Sequence, residues 1–380
     1  MRMDELDLKW EHMAAGIDAQ PSYLSGGAIR GLYGAASDLD LRVPSRIYLV
    51  GCGDSHYAGV ATRFAFERWT GIPTEALESL EFSRYAVTTA PADALVVAVS
   101  NSGRVTRTIE SALFAGQRGI QSVALTYFPE SPLARTATHT LPWTYPDVGF
   151  GPGTLSYLAS VLGLFAMALR IGAAGGHLRA AEVHERLDAV TACGELVAAT
   201  IAGCRPVAAT IADGINPQGP VTIIGGGPSY GTALFGMAKF IESAGHNAVG
   251  QELEEWAHEQ YFCTGPGSHT FVVAPDGASV DRAREQLRAV RDVGGTAVAI
   301  CDAADEETRA IADTVLPTAT TSDELLSPIV TAVPLALVAL AFAQRLGTTM
   351  LGFDDANRRE VNFRQIFGGA IPAGDLGASR

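Results

Sequence analysis

Val96 to Gly116, VVAVSNSGRVTRTIESALFAG, runs from small and β-branched apolar residues through Ser100-Asn101-Ser102-Gly103 into a helical pattern. The apolar run reads as a strand, and the hydroxyl- and glycine-rich tetrad as a tight turn that opens a helix. A turn of this kind brings backbone N–H groups, hydroxyl donors and the positive end of a helix dipole to one point, which suits an oxyanion. Upstream, Ile47 to Gly59, IYLVGCGDSHYAG, is another strand, glycine turn and helix start. Val221 to Ala233, VTIIGGGPSYGTA, returns to the same arrangement when Ser55 is matched with Ser229. The chain therefore reads as a duplicated α/β unit built to hold a small anionic ligand.

Composition narrows the classes. With 380 residues, 47% of them hydrophobic, the chain has the capacity for two domains or one two-lobed unit with ample core. Its formal net charge of −14 opposes nucleic acid and anionic membrane surfaces, so an anionic small molecule needs a local site. The five cysteines, Cys52, Cys193, Cys204, Cys263 and Cys301, are scattered without a C-x-x-C spacing, so neither zinc nor a redox pair is indicated and a reducing compartment is expected. The start, MRMDELDLKWEH, lacks the apolar region of a signal peptide, and a cytoplasmic location is expected. The longest apolar stretch, Leu155 to Leu169, is expected to stop at Arg170, short of the ~20 residues that span a bilayer, and reads as a buried core helix.

Along the chain, residues 1–35 are expected to form a helical lead-in broken at Gln20-Pro21 and followed by a glycine-rich linker. The first lobe, 36–175, alternates strands (46–50, 94–99, 121–127) with helices (56–69, 104–118 and one after Gly153). An Ala-rich helical connector covers 176–210. The second lobe, 211–348, repeats the order with strands at 221–224, 270–273 and 297–300 and helices at 231–243, 279–293 and 334–345. An irregular tail, 349–380, closes the chain. Such alternation predicts α/β architecture, with two doubly wound parallel sheets in tandem. In sheets of this type ligands gather at the carboxyl ends of strands, where the serine-bearing turns fall.

Three motifs bear on chemistry. GCGDS and GGGPS invite a dinucleotide-binding reading, but that fingerprint needs a third glycine where this chain has His56 and Tyr230. In the second copy a tight turn alone accounts for the glycines. In the first, Ser55 and the SNSG loop fall on consecutive strand ends, which favours a site. Lys239 and Glu242 lie three residues apart on one helical face among Leu234, Phe235, Met237, Phe240 and Ile241. They read either as a surface ion pair or as a carboxylate in apolar surroundings poised to move a proton. Glu252 to Phe262 groups four carboxylates around His258. That segment is either a solvated face or a histidine made more basic by a carboxylate, and it offers no metal-binding spacing.

Taken jointly and in order, MAAGIDAQPSYL, the GCGDS turn, the SNSG loop, GGGPSYGTA, AKFIE and EEWAH resemble the sugar isomerase (SIS) domain family over nearly the whole chain. The double-SIS arrangement resembles the isomerase half of glucosamine-6-phosphate synthase and its stand-alone relatives, the deglycases and amino-sugar-phosphate deaminases. The resemblance implies flavodoxin-like lobes and assigns sugar and phosphate binding to Ser55, Ser100, Asn101, Ser102 and Thr108. It makes Glu242 the carboxylate that moves a proton between C1 and C2, and His258 the ring-opening group, donated by a neighbouring subunit. It further implies a homodimer with composite active sites, no metal and no organic cofactor. Gly53, Asp54 and Glu255, beside these motifs, join the substrate-binding candidates, and Lys239 joins the catalytic ones.

Departures from the family pattern bear on the reaction. Arg104-Val105 stands where the family's phosphate loop ends in E/x-T, and Arg104 is placed to pair with an anion. Glu259-Gln260 follows the histidine in place of Gly-Pro. The tail has Arg358, Arg359 and Arg364 but no counterpart of the family's carbonyl-approaching lysine, and arginine forms no Schiff base. The expectation is a metal-independent aldose–ketose isomerase of a small anionic sugar, working through a cis-enediol. The substrate would be a hexose 6-phosphate or amino-sugar phosphate, with a 6-sulfonated hexose also admitted. Deglycation or deamination of an amino-sugar phosphate is the alternative within enzymes, and a non-catalytic sugar-phosphate sensor the alternative outside them.

Overall fold

A computed structural model describes residues 7–372. The ends of the lead-in and tail beyond those limits lie outside the described residues. Three short helices come first: α1 (Trp10–Asp18), α2 (Gln20–Ser25) and α3 (Ala28–Ser37). Next are β1 (Ile47–Gly51), α4 (Asp54–Thr70), β2 (Thr74–Glu78), α5 (Ser79–Arg84), β3 (Leu95–Val99) and α6 (Thr106–Gln117). After them run β4 (Gln121–Thr126), α7 (Pro132–Thr136) and β5 (His139–Pro142), then the long α8 (Leu155–Ala174) and α9 (Ala180–Gly214). The second series comprises β6 (Val221–Gly225), α10 (Pro228–Ala244), β7 (Ala248–Glu252), α11 (Glu255–His258), β8 (His269–Ala274) and α12 (Val280–Asp292). It ends with β9 (Thr296–Asp302), α13 (Glu306–Ile311), β10 (Thr314–Thr318), α14 (Ser327–Leu346) and α15 (Ala356–Phe367).

The chain divides into two compact units, one of residues 27–145, 156–191 and 356–372, the other of residues 7–26, 146–155 and 192–355. Each unit holds a five-stranded sheet that is parallel throughout, in the orders β2-β1-β3-β4-β5 and β7-β6-β8-β9-β10. Both are the flavodoxin-like order 2-1-3-4-5, so the expected tandem of doubly wound sheets is what the chain forms. β1 and β3 are buried over their whole length and read from sequence as continuous apolar runs. In the first unit Val50, Val96 and Ala98 pack with Phe82, Ala112 and Phe114, and in the second Ile224, Val272 and Ala299 pack with Trp256 and Leu287.

Differences from expectation have local causes. The glycine-rich segment after the lead-in is helical from Ala28, with Gly27 in the left-handed conformation supplying its start. Arg170 does not end the apolar helix, because its guanidinium donates to the Leu39 carbonyl (3.2 Å) and the helix runs on to Ala174. Among the described residues α8, α9 and α14 have the length and composition to cross a membrane, and 83%, 44% and 94% of their apolar windows are buried inside the protein. α14 starts at Ser327 with Pro328 in its first turn, where its missing N–H costs nothing, and keeps a buried Pro334 inside. The described part of the tail is not irregular, since it contains the 12-residue α15. The thiols of Cys193, Cys204 and Cys301 are buried, which pushes each up to about 12 and keeps them protonated.

Candidate active site

The strand order places the first cluster. β1 and β3 are hydrogen-bonded neighbours whose following connections lead to opposite sides of the sheet, so the turn after β1 and the loop after β3 meet at the switch point. Gly51 must be glycine, since a Cβ there would lie 2.8 Å from the Ser55 backbone where α4 folds back on the strand end. Gly53 takes φ 55°, ψ −132°, a conformation that excludes side chains, and Asp54 and Ser55 open α4. Asp54 stands at the positive end of the α4 dipole, and its charge adds to burial in raising the phenol of Tyr157 well above its usual range.

The SNSG loop is tied down by its own polar groups. Gly103 N–H donates to Ser100 Oγ (3.2 Å) and Arg104 N–H to Ser102 Oγ (3.2 Å). Asn101 Oδ1 accepts from Trp143 Nε1 (3.2 Å) and from the Tyr145 hydroxyl (2.9 Å), while its carbonyl accepts from Tyr127 N–H. Asn101 thus serves as the loop's anchor, and neither aromatic partner was singled out from sequence. Thr108, by contrast, is buried in α6 with its hydroxyl 2.9 Å from Ser79 Oγ and 3.9 Å from Cys52 Sγ, beneath the loop.

Arg104 is exposed, and its guanidinium lies 5.3 Å from the centre of the Phe367 ring on α15. One turn on, Arg107 pairs with Glu110 and donates to the Ala370 carbonyl (2.7 Å). Glu110 is wholly buried and also accepts from Arg84 and from Ser83 Oγ (3.1 Å), joining α5 to α6. Sequence reading missed this network; Glu110 is the one acid of α6, and Ser83 and Arg84 come from another element. It also missed His56, one residue after Ser55, whose Nε2 sits 3.2 Å from Glu78. Burial pulls the His56 imidazole below its usual range against the opposing pull of Glu78.

The second cluster belongs to the other unit. Lys239 on α10 is wholly buried, with Nζ 2.6 Å from Glu242 Oε2 and 3.0 Å from the Gly153 carbonyl. The Phe235 ring centre lies 4.9 Å away. The Glu242 side chain stays 31% exposed, so the pair sets a partly exposed carboxylate against a sequestered cation. His258 ends α11 and is 66% exposed, its Nε2 3.5 Å from Glu254 rather than beside Glu255. Exposed Tyr261 and Phe262 follow it after Glu259 and Gln260. Among the described residues there is no group of three or more His, Cys, Asp and Glu side chains arranged to hold a metal ion.

Comparisons with known proteins agree with this architecture. The SIS domain pattern matches residues 40–161 and 215–344. A glutamine–fructose-6-phosphate aminotransferase (isomerizing) of Mycobacterium tuberculosis is 28% identical over 343 residues, covering 89% of this chain and 54% of that protein. The chain thus spans about half the length of the curated relatives it matches. Among solved structures, the C-terminal domain of glucosamine-fructose-6-phosphate aminotransferase from Francisella tularensis superposes with a TM-score of 0.80 at 20% identity, covering 89% of this chain and 97% of that one. Tagatose-6-phosphate ketose/aldose isomerase from Escherichia coli does so with 0.72 at 15%, covering 90% and 95%. At such identities these superpositions describe the fold.

Proposed function

The chain belongs to the SIS domain family, with two SIS domains in tandem, and on that premise we propose that it is a metal-independent aldose–ketose isomerase of an anionic sugar. The substrate is a hexose 6-phosphate or amino-sugar phosphate, and a 6-sulfonated hexose meets the same chemical demands. The observation that carries this reading is the Lys239–Glu242 pair: a wholly buried ammonium holds Oε2 of a glutamate whose side chain stays 31% exposed. Binding of the anion is assigned to Ser55, Ser100, Ser102 and Arg104, with Gly53 and Asp54 in the neighbouring turn.

In the reaction so assigned, His258 moves a proton between the anomeric hydroxyl and the ring oxygen to open the ring. Glu242 then takes the C2 proton of the aldose as the C1 oxygen gains a proton, giving the cis-enediol. The carboxyl returns its proton to C1 while O2 gives one up and becomes the ketone, so atoms and electrons balance without a co-reactant. Lys239 fixes the carboxylate in place. His258, exposed beside Tyr261 and Phe262, serves a second copy of the chain in a homodimer with composite sites, and the whole operates in the cytoplasm.

The test is deuterium incorporation at C1 and C2 in D₂O with hexose 6-phosphates, their 2-amino analogues and a 6-sulfonated hexose. Exchange with ketose formation is expected, and Glu242→Gln should lower it by about 10²–10⁴-fold while substrate still binds. An active Glu242→Gln enzyme overturns the assignment. Ammonia release would replace isomerisation with deamination, and binding without exchange would replace the enzyme with a sensor.

A further inference from the structure

The second sheet has its own switch point, between β6 and β8, formed by the turn Gly225–Ser229 and the loop Pro275–Ser279. This pair holds the topological place that Gly51–Ser55 and Ser100–Gly103 hold in the first sheet, and Gly227 (φ 56°, ψ −129°) repeats the conformation of Gly53. A carboxylate already lies in it. Ala278 N–H, just ahead of the 13-residue α12, donates to Glu324 Oε2 (3.0 Å). A Cβ on Gly277 would land on that carboxylate, and one on Gly227 would come within 4.0 Å of Glu324 Oε1. Glu324 starts the short turn before α14, where the Asp323 carboxylate accepts from Leu325 N–H (3.0 Å) and pins the backbone. At the same edge, the hydroxyls of Ser229 and Ser327 have no hydrogen-bond partner, although each residue is only 1% exposed. Ser327 also lines a cleft with Pro275, Asp276, Asp302, Thr318 and Thr320.

We propose that this second switch point is a latent phosphoryl-oxyanion site and that the Glu324 carboxylate is its built-in occupant. A carboxylate and a phosphoryl group offer the same negative oxygens to N–H groups leading into a helix. Gly277 is the residue whose missing side chain admits the carboxylate, and Ser327 is the hydroxyl left for a further ligand oxygen. Asp276 and Asp302 accept hydroxyl protons instead of anion oxygens, so an ester carrying hydroxyls fits better than bare phosphate. The chain then has two cradles and takes one external anion. That count rests on the first cradle being the substrate's.

Binding of inorganic phosphate and of fructose 6-phosphate to the full chain, followed calorimetrically, tests this. Glu324→Ala should bind one more phosphoryl group per chain than wild type, with at least tenfold higher affinity at the second site, and should keep the gain in a Ser102→Ala background. Gly277→Ala, which expels the carboxylate without deleting it, should produce the same extra site. Stronger binding of the sugar ester identifies an ester as occupant, and equal binding identifies the free anion. Folded Glu324→Ala and Gly277→Ala proteins with wild-type stoichiometry overturn the proposal. Should Glu324→Ala fail to fold, Gly277→Ala and the isosteric Glu324→Gln decide alone. Wild type binding no phosphoryl group while Glu324→Ala binds one overturns the reading of the first cradle only.

Discussion

A wholly buried lysine must have its charge met where it sits, and Lys239 has it met by Glu242, its neighbour in sequence, and by the carbonyl of Gly153, 86 residues away. The i,i+3 spacing made the first partner legible, and no local pattern encodes the second. Glu110 shows the same limit more strongly. Nothing in the local pattern singles it out, yet it is wholly buried between Arg84, Arg107 and Ser83. Because both guanidinium groups keep some access to water, Glu110→Gln is expected to cost about 3 kcal/mol, the lower end for breaking a buried pair. Urea unfolding at neutral pH measures it; a loss under about 1 kcal/mol would show that the arginines find water instead.

At the scale of elements, what was legible depended on burial. β1, β3, β6 and β8 are central, buried over their whole length and mostly apolar, and each lies within a residue or two of its expected place. β2, β5, β7 and β10 were missed because they are edge strands with mixed side chains, such as Thr74–Glu78, TEALE, for which neither alternation nor a continuous apolar run exists. The loop after β3 was legible as a helix-opening turn, but its rigidity comes from Trp143 and Tyr145 beyond β5. Asn101→Ala removes the acceptor for both, leaves the loop's hydroxyls in place and should raise KM about tenfold with little change in kcat, because it loosens the anion grip without touching the proton-transfer groups. Steady-state kinetics would separate the two; a fall in kcat at unchanged KM would contradict the anchoring role. Gly103 sets the loop's other constraint. It has φ 60°, and a Cβ there would strike Ser131, so no substitution at that position preserves the turn.

Across the whole molecule, the two sheets share a strand order while their switch points have diverged: hydroxyls and an arginine in one, a carboxylate of the chain itself in the other. Topology followed from the alternation of strand and helix signals, whereas which long-range groups fill each cradle did not, because Glu324 reaches a loop 46 residues away. The same distribution of buried groups sets the response to pH. Burial lowers His56, His246 and His269 below their ordinary 6.5, so each is held more neutral in the folded chain than in the unfolded one. The unfolded state then binds more protons as pH falls below about 6.5, and stability is lost from there down through the folded values. Glu182, lowered to about 2 chiefly by its hydrogen bond from Arg179, and Glu254, lowered chiefly by Arg282, act in the same direction but only below about 4.5. The carboxylates contribute nothing above about 4.5, so a fall in the urea midpoint between pH 6.5 and 5 belongs to the histidines. Replacing all three with Gln should lower stability at pH 7.5 and flatten the profile across that window. A triple variant that keeps the wild-type slope would place the acid sensitivity elsewhere.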